Sequence, residues 1–208
     1  LHRRAALSVS AALLAAAPLL SACGSSPARP GTAAVVGGER ITTSAVQAQV
    51  KDVRAAQNRS PQGPALIQAT AGLERHKLEW MIRLAVLERA AKDAGVSVTT
   101  AEVEDQRKLT VQQAGGTEQL EAAALQQGAL APDQIDADLR FKLLRDKLYD
   151  HYGSQEKAVE EIRRTAQKLH VELNPRFGTW DPQQIGLGDK GTSWIVQKTR
   201  PQQPAAGA

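Results

Sequence analysis

Hydrophobic and polar positions follow three different rules along this chain. From Ala5 to Leu20 the residues are almost wholly Ala, Leu, Val and Ser, uncharged, with Pro18 near the end and His2, Arg3 and Arg4 in front. A basic start followed by an apolar run is the plan of a secretory signal. The run of sixteen residues is short of the about 20 that a membrane-spanning helix needs. A polar stretch from Gly24 to Gly31 follows, rich in Gly, Ser and Pro, so residues 23–33 are expected to form a flexible linker.

Next, Ala33-Ala34-Val35-Val36 and Gly37-Gly38-Glu39-Arg40-Ile41 read as a short strand, a turn and a strand end. From there the period becomes helical. Thr42, Thr43 and Ser44 are N-cap candidates for a helix that carries Val46, Val50 and Val53 on one face and ends near Asn58. Ser60-Pro61-Gln62-Gly63-Pro64 has the chemistry of a loop. Ala65 to Ala94 then reads as one long central helix, apolar on more than one face and ended by Gly95. Thr99 and Glu102 form a capping box for the next helix, which runs to Gly115-Gly116. A shorter helix spans Thr117 to Gln127 and stops at Gly128. Pro132 opens another, with Ile135, Leu139, Leu143, Leu144 and Leu148 on one stripe and Gly153 at its end. Ser154 caps a last helix that runs to about Lys168.

In the third regime Leu169, Val171 and Leu173 alternate with polar neighbours, as in a half-buried strand. Asn174-Pro175 turns the chain, Arg176 to Asp181 is extended, and Thr192 to Gln197 reads as a final strand. Residues 198–208, with Pro201 and Pro204, are expected to be a disordered tail. The fold class is therefore mainly α, five or six helices flanked by short strands at both ends. Pairing of the Ala34–Val36 strand with the Leu169–Leu173 strand would close it, since either alone leaves backbone groups unpaired.

Composition narrows the function. Of 208 residues 42% are apolar, 23% charged and 3% aromatic, with a net charge of +4. A small charge spread along the chain, with so few aromatic side chains, argues against a nucleic-acid partner. One cysteine excludes an internal disulfide and multi-Cys metal sites. The histidines are scattered: His76, His151 and His170 fall on three different elements without acidic or Cys partners at ligand spacing, and His76 with Trp80 at i, i+4 reads as packing. Gly186-Leu187-Gly188-Asp189-Lys190-Gly191 spells the dinucleotide fingerprint. Pro182 breaks its lead-in and a β-prone Thr192-Ser193-Trp194-Ile195-Val196 follows, so it reads as a Gly-rich surface loop and no nucleotide partner is expected. No catalytic residue, metal site or dissociable cofactor emerges.

Leu20-Ser21-Ala22-Cys23 resembles the lipobox of bacterial lipoproteins. The resemblance implies cleavage after Ala22 and a diacylglyceryl group on Cys23, the lipid attachment site. The position suits it, because a thiol between an apolar run and a polar linker has nothing to pack against. Two acyl chains anchor firmly where one does not. Residues 1–22 are then the leader, and losing Arg3 and Arg4 lowers the charge from +4 to +2.

The order of motifs in the mature chain resembles the helical module of SurA-type and PrsA-type extracytoplasmic chaperones. Ala34 to Thr42 is similar to their opening strand, glycine turn and Thr-capped helix. Leu87 to Thr99 followed by Ala101-Glu102-Val103 is similar to their helix end, bridge and acidic capped helix. Val171 to Trp180, with Asn174-Pro175-Arg176, looks like their closing segment. The resemblance covers about residues 34 to 181, and the module with its closing strands spans 34–197. Relatives usually carry a parvulin-type isomerase before the closing segment, whereas here Ser154 to Lys168 is one helix leading straight to the strand. The resemblance implies an ATP-independent chaperone or foldase without isomerase activity, not an enzyme, tethered to the membrane outside the cytoplasm. Its partners would be unfolded, newly exported proteins and, through the anchor, the lipid bilayer. An adaptor lipoprotein that binds one native partner is the alternative. The stripe Leu139, Leu143, Leu144 and Leu148 either lines a client cradle or packs the core, and no client-binding residue is assigned. Metabolic labelling with a lipid precursor is expected to mark the wild-type chain and to leave Cys23→Ala unlabelled.

Overall fold

A strand with almost no exposed side chain begins the described fold. Strand β1 (Thr32–Val36) holds Ala33 and Ala34 at 0% exposure and Val36 at 5%. The computed structural model describes residues 30–188. The expected leader (residues 1–22) with Leu20, Ser21 and Ala22, the lipid-attachment candidate Cys23 with the first part of the expected linker, the Thr192–Gln197 segment and residues 198–208 all lie outside the described residues. The last two linker residues, Thr32 and Ala33, belong to β1.

Gly37 and Gly38, both at positive φ, turn β1 back into β2 (Glu39–Thr42). At Gly37 a side chain would also strike Leu169, since a Cβ there would lie 2.5 Å from Leu169 Cδ2. Thr42 then caps α1 (Thr43–Arg59) by accepting a hydrogen bond from Ala45 N–H at 3.0 Å. Residues expected to form one helix from Ala65 to Ala94 form two, α2 (Gly63–Ala69) and α3 (Leu73–Asp93). The first takes in the end of the expected 60–64 loop. The break is imposed from α1: Arg54 donates to Thr70 Oγ1 and to Thr70 O, each at 2.8 Å, and Gln57 donates to Thr70 Oγ1 at 3.1 Å. Those bonds capture the last turn of α2, and Gly72 lets the chain restart.

Helix α3 is the axis of the body. Leu78, Ile82 and Val86 are wholly buried, and burial contributes about 1.5–3 kcal/mol for each such side chain. Gly95 (φ +70) ends the helix as expected. The capping box is present at the start of α4 (Thr100–Ala114): Glu102 N–H donates to Thr99 Oγ1 at 3.3 Å, and Thr99 N–H donates to Glu102 Oε2 at 2.8 Å. Lys147 donates to Glu102 Oε1 at 2.5 Å. That bond, with those that the Thr99 N–H and the Thr99 hydroxyl (3.0 Å) donate to Oε2, pulls the Glu102 carboxyl down to about 2. Gly115 in the left-handed region ends α4, and α5 (Thr117–Gly128) follows.

The stop of α5 lies one residue later than the sequence suggests. Ala129, not Gly128, takes the left-handed cap (φ 47), because its methyl fills a small core with Val53, Ala56, Leu73, Leu125 and Ala131. A 3-10 turn (Pro132–Gln134) leads into α6 (Ile135–Tyr152), Gly153 ends that helix, and Ser154 caps α7 (Gln155–Lys168). Seven α-helices therefore stand among the described residues.

The expected closure forms. The central strand β1 pairs antiparallel with β2 on one side and with β3 (Glu172–Leu173) on the other, with Ala34 opposite Leu173 and Val35 opposite Glu172. The closing strand is shorter than Leu169–Leu173, because Leu169 caps α7 and His170 adopts a left-handed turn (φ 45). Asn174 fastens it: its N–H donates to Ala33 O at 2.9 Å and its side-chain amide to Thr32 O at 3.0 Å. The segment read as a Gly-rich loop is in part a hairpin strand, β5 (Gly186–Gly188), paired antiparallel with β4 (Thr179–Asp181). Asp181 Oδ1 accepts from Gln183 N–H at 2.8 Å and Gln184 N–H at 3.3 Å, which shapes the turn. Arg75 holds the hairpin against α3 by donating to Phe177 O at 3.0 Å and to Gly188 O.

Gly63 is closely enclosed, since a Cβ there would sit 2.5 Å from the Gln57 carbonyl oxygen, whereas Gly72 has nothing within 4 Å. Gly63→Ala is expected to lower stability by more than about 1 kcal/mol in urea denaturation, while Gly72→Ala leaves it unchanged or raises it slightly.

Candidate functional site

Between α3, α4, α5 and α6 the helices leave a groove of about 620 Å³ that is open to solvent. Its existence follows from residue size. Ala114 on α4 and Ala123 and Ala124 on α5 present methyl groups where larger side chains would fill the space. The floor is greasy: Leu120 is 8% exposed, Ile135 3% and Leu139 5%, and Leu130 adds to the wall. From α3 come His76, Lys77 and Trp80, brought to one side by the i, i+3 and i, i+4 spacings.

Lys77 is the anomaly. Its side chain lies on the buried side of α3, 2% exposed, and its ammonium donates to Gln134 Oε1 at 2.7 Å. Gln134 is itself buried and oriented by donating to Gln49 O on α1 at 3.0 Å, with Ala131 N–H donating to its Oε1 at 3.4 Å. Burial pushes the Lys77 ammonium down to about 8, against the opposing pull of the Asp138 and Asp133 carboxylates. Asp138 also lines the groove, paired with Lys142 at 2.8 Å. Trp80 holds a buried indole Nε1–H that meets no acceptor among the described residues. An unmet buried donor costs about 1–3 kcal/mol.

The α6 stripe divides between groove and core. Leu139 lines the groove with Ile135, while Leu144 and Leu148, 2% and 0% exposed, pack the main core, against which Leu143 also packs. As a cradle the stripe is therefore mostly core. The described histidines stay apart: His76 stands exposed at the groove rim, His151 meets Tyr152 edge-on at 4.8 Å, and exposed His170 is in its turn. Among the described residues no group of His, Cys, Asp and Glu could hold a metal ion, and no helix is long and apolar enough to cross a membrane. The residues that sequence reasoning missed are Lys77, Trp80 and Gln134. A signal existed for the first: Lys77 falls four residues after Leu73 on the face that Leu73 buries.

A comparison with family descriptions matches residues 3–149 to the SurA-like N-terminal domain. The chain belongs to this family, and every groove residue falls within the matched span. Comparisons with curated proteins and with solved structures gave no match.

The Lys77 ammonium has a consequence for stability. The folded chain releases that proton near pH 8, the unfolded chain near 10.5. Between those values the unfolded state binds more protons, so stability rises with pH, by at most about 1.4 kcal/mol per unit. The difference in unfolding free energy between wild type and Lys77→Met, measured in urea from pH 7 to 10, is expected to grow in favour of wild type as pH rises past 8.

Proposed function

We propose that this chain is an extracytoplasmic, ATP-independent chaperone, held at the membrane by a lipid on Cys23, that binds unfolded exported polypeptides in the groove between α3 and α6 without isomerising them. The observation that carries the reading is the groove itself: apolar at the floor, open to solvent, and wholly inside the span shared with SurA-like N-terminal domains. Its volume falls within the roughly 300–1,000 Å³ typical of ligand sites.

The energetics suit a transient holder. Each large apolar side chain seated on Leu120, Ile135 and Leu139 gains about 1.5–3 kcal/mol. Immobilising a peptide residue takes back about 1–2 kcal/mol of backbone entropy. The small surplus gives weak, sequence-tolerant contact, which protects an unfolded chain by mass action and then releases it without a nucleotide. The leader and the Leu20–Cys23 lipobox support export and tethering, and a tether raises the local concentration of the groove near emerging chains. The direct run from α7 through residues 169–171 into β3 supports the reading that no isomerase is inserted there.

The test is suppression of aggregation of several unrelated denatured proteins. Wild type is expected to suppress it, and Ala123→Arg, which puts a cation into the groove at a partly exposed position, to lose most of the effect with an unchanged melting temperature. Failure to suppress with any client, alongside tight binding to a single native protein, would overturn the reading in favour of an adaptor.

A further inference from the structure

A second recess lies further along α3 and α6 and shares no lining residue with the groove. It encloses about 290 Å³ between α3, α6, α7 and the turn of the β4–β5 hairpin. Leu87 (2% exposed) and Ile162 (7%) are its most deeply buried lining, and half-buried Phe141, Tyr149 and Ile185 complete the apolar part. Ile185 reaches it from the left-handed region (φ 50), a backbone that a β-branched residue seldom takes.

Three arginines stand around this apolar space, and its lining holds no carboxylate. Separate contacts place each guanidinium. Arg163 of α7 donates from Nε to Gln183 O at 2.9 Å, and Gln183 itself lines the recess. Arg145 Cζ lies 5.8 Å from the centre of the Tyr149 ring. Arg83 Nη1 is 3.9 Å from Glu79 Oε1, an atom 3.3 Å from where a Gly186 Cβ would be, next to Ile185. The neighbouring acids leave these cations largely free. A separation of 3.9 Å is too long for a hydrogen bond. Asp146 takes only Nε and Nη2 of Arg145, both on one oxygen. Arg83, Nη1 of Arg145 and both Nη atoms of Arg163 make no hydrogen bond among the described residues. All are within reach of a ligand: the Arg83 and Arg145 side chains are 50% and 40% exposed, and Arg163 is exposed too.

We propose that this recess docks a second polypeptide through a short acidic motif, one large apolar side chain filling it while flanking Asp or Glu carboxylates pair with Arg83, Arg145 and Arg163. Charge complementarity selects the occupant, since guanidinium forks match carboxylates and the space between them is apolar. A flat anionic bilayer meets the rim and leaves the recess empty. The chain's own residues 189–208 carry one acid, Asp189, against Lys190, Lys198 and Arg200, so they lack the charge. The site selects by charge where the groove is apolar at its floor, and it does not depend on the groove's binding clients.

Fluorescence anisotropy on the full chain tests this with three short peptides, labelled at the amino end and amidated at the other. The first has one Phe between two Asp-Glu pairs. The second replaces those acids by Asn and Gln, and the third keeps them and replaces Phe by Ala. In low salt the first is expected to bind at least about tenfold tighter than the second, because each exposed ion pair contributes up to about fivefold. That advantage should shrink as ionic strength rises, and the third peptide should bind more weakly than the first. Arg83→Gln, which removes no hydrogen bond, and Arg145→Gln should each lower the first peptide's affinity by about two- to fivefold. Ala123→Arg, in the groove, should leave it unchanged, so that the recess and the client groove stand or fail separately. Equal binding of the first peptide and either of the others overturns the proposal, as does an advantage that survives both arginine variants. Loss of binding in Ala123→Arg would place the peptide in the groove and overturn it too. Arginine-dependent binding of phosphatidylglycerol vesicles without a preference for the acidic peptide, or an arginine-dependent dimer, would assign the recess to a bilayer or a second copy and likewise overturn it.

Discussion

The hydrogen bond from Lys77 to Gln134 is the polar contact around which α1, α3 and the start of α6 meet. Lys77 belongs to α3, Gln134 to the turn that launches α6, and Gln49, which fixes the Gln134 amide, to α1. An ammonium inside an apolar wall must find an oxygen. Satisfying it sets where α6 begins relative to α3, and therefore how wide the gap between them is. The groove floor is built outward from that point: Ile135 and Leu139 follow Gln134 directly, and the alanines of α5 decline to fill what remains. The polar contact thus dictates the shape of an apolar site.

A second constraint works at the ends of the described chain. Asn174 binds Thr32 across 142 positions of sequence, and β1 lies between β2 and β3 as the middle strand. Closing a loop of that length costs chain entropy, which the packing of the intervening helices offsets. The hairpin of β4 and β5 is held by Arg75 of α3 and by Trp180, Ile185 and Leu187, which pack against the main core.

Local chemistry was well legible in the sequence. Thr42, the Thr99–Glu102 box, Gly115, Gly153 and Ser154 act on neighbours within one turn, and each does what its type and position imply. The closing of β1 on β3 was legible as well, because an unpaired strand has few alternatives. What failed depended on distant side chains. The division at Thr70 is made by Arg54 and Gln57 of another helix, and no periodicity within residues 65–94 reveals it. Ala129 accepts a glycine-like conformation because a core far along the chain wants its methyl. The groove was hidden for a similar reason: small side chains on α4 and α5 mean nothing until α6 is placed opposite, and the α6 stripe, which the sequence left open between cradle and core, is divided by depth.

The cap of α4 also bears on the surroundings in which such a fold can work. Glu102 has an ordinary titration point of 4.5 and a folded one of about 2. The unfolded chain therefore takes up that proton first, and this contribution fades only as pH drops from the former value towards the latter. The bonds that Lys147 and Thr99 make to the ionised carboxyl are thus kept as pH falls below 4.5, so the brace between α4 and α6 persists through mild acidity. Acidification has to go well below the ordinary carboxylate range before this edge of the scaffold begins to loosen.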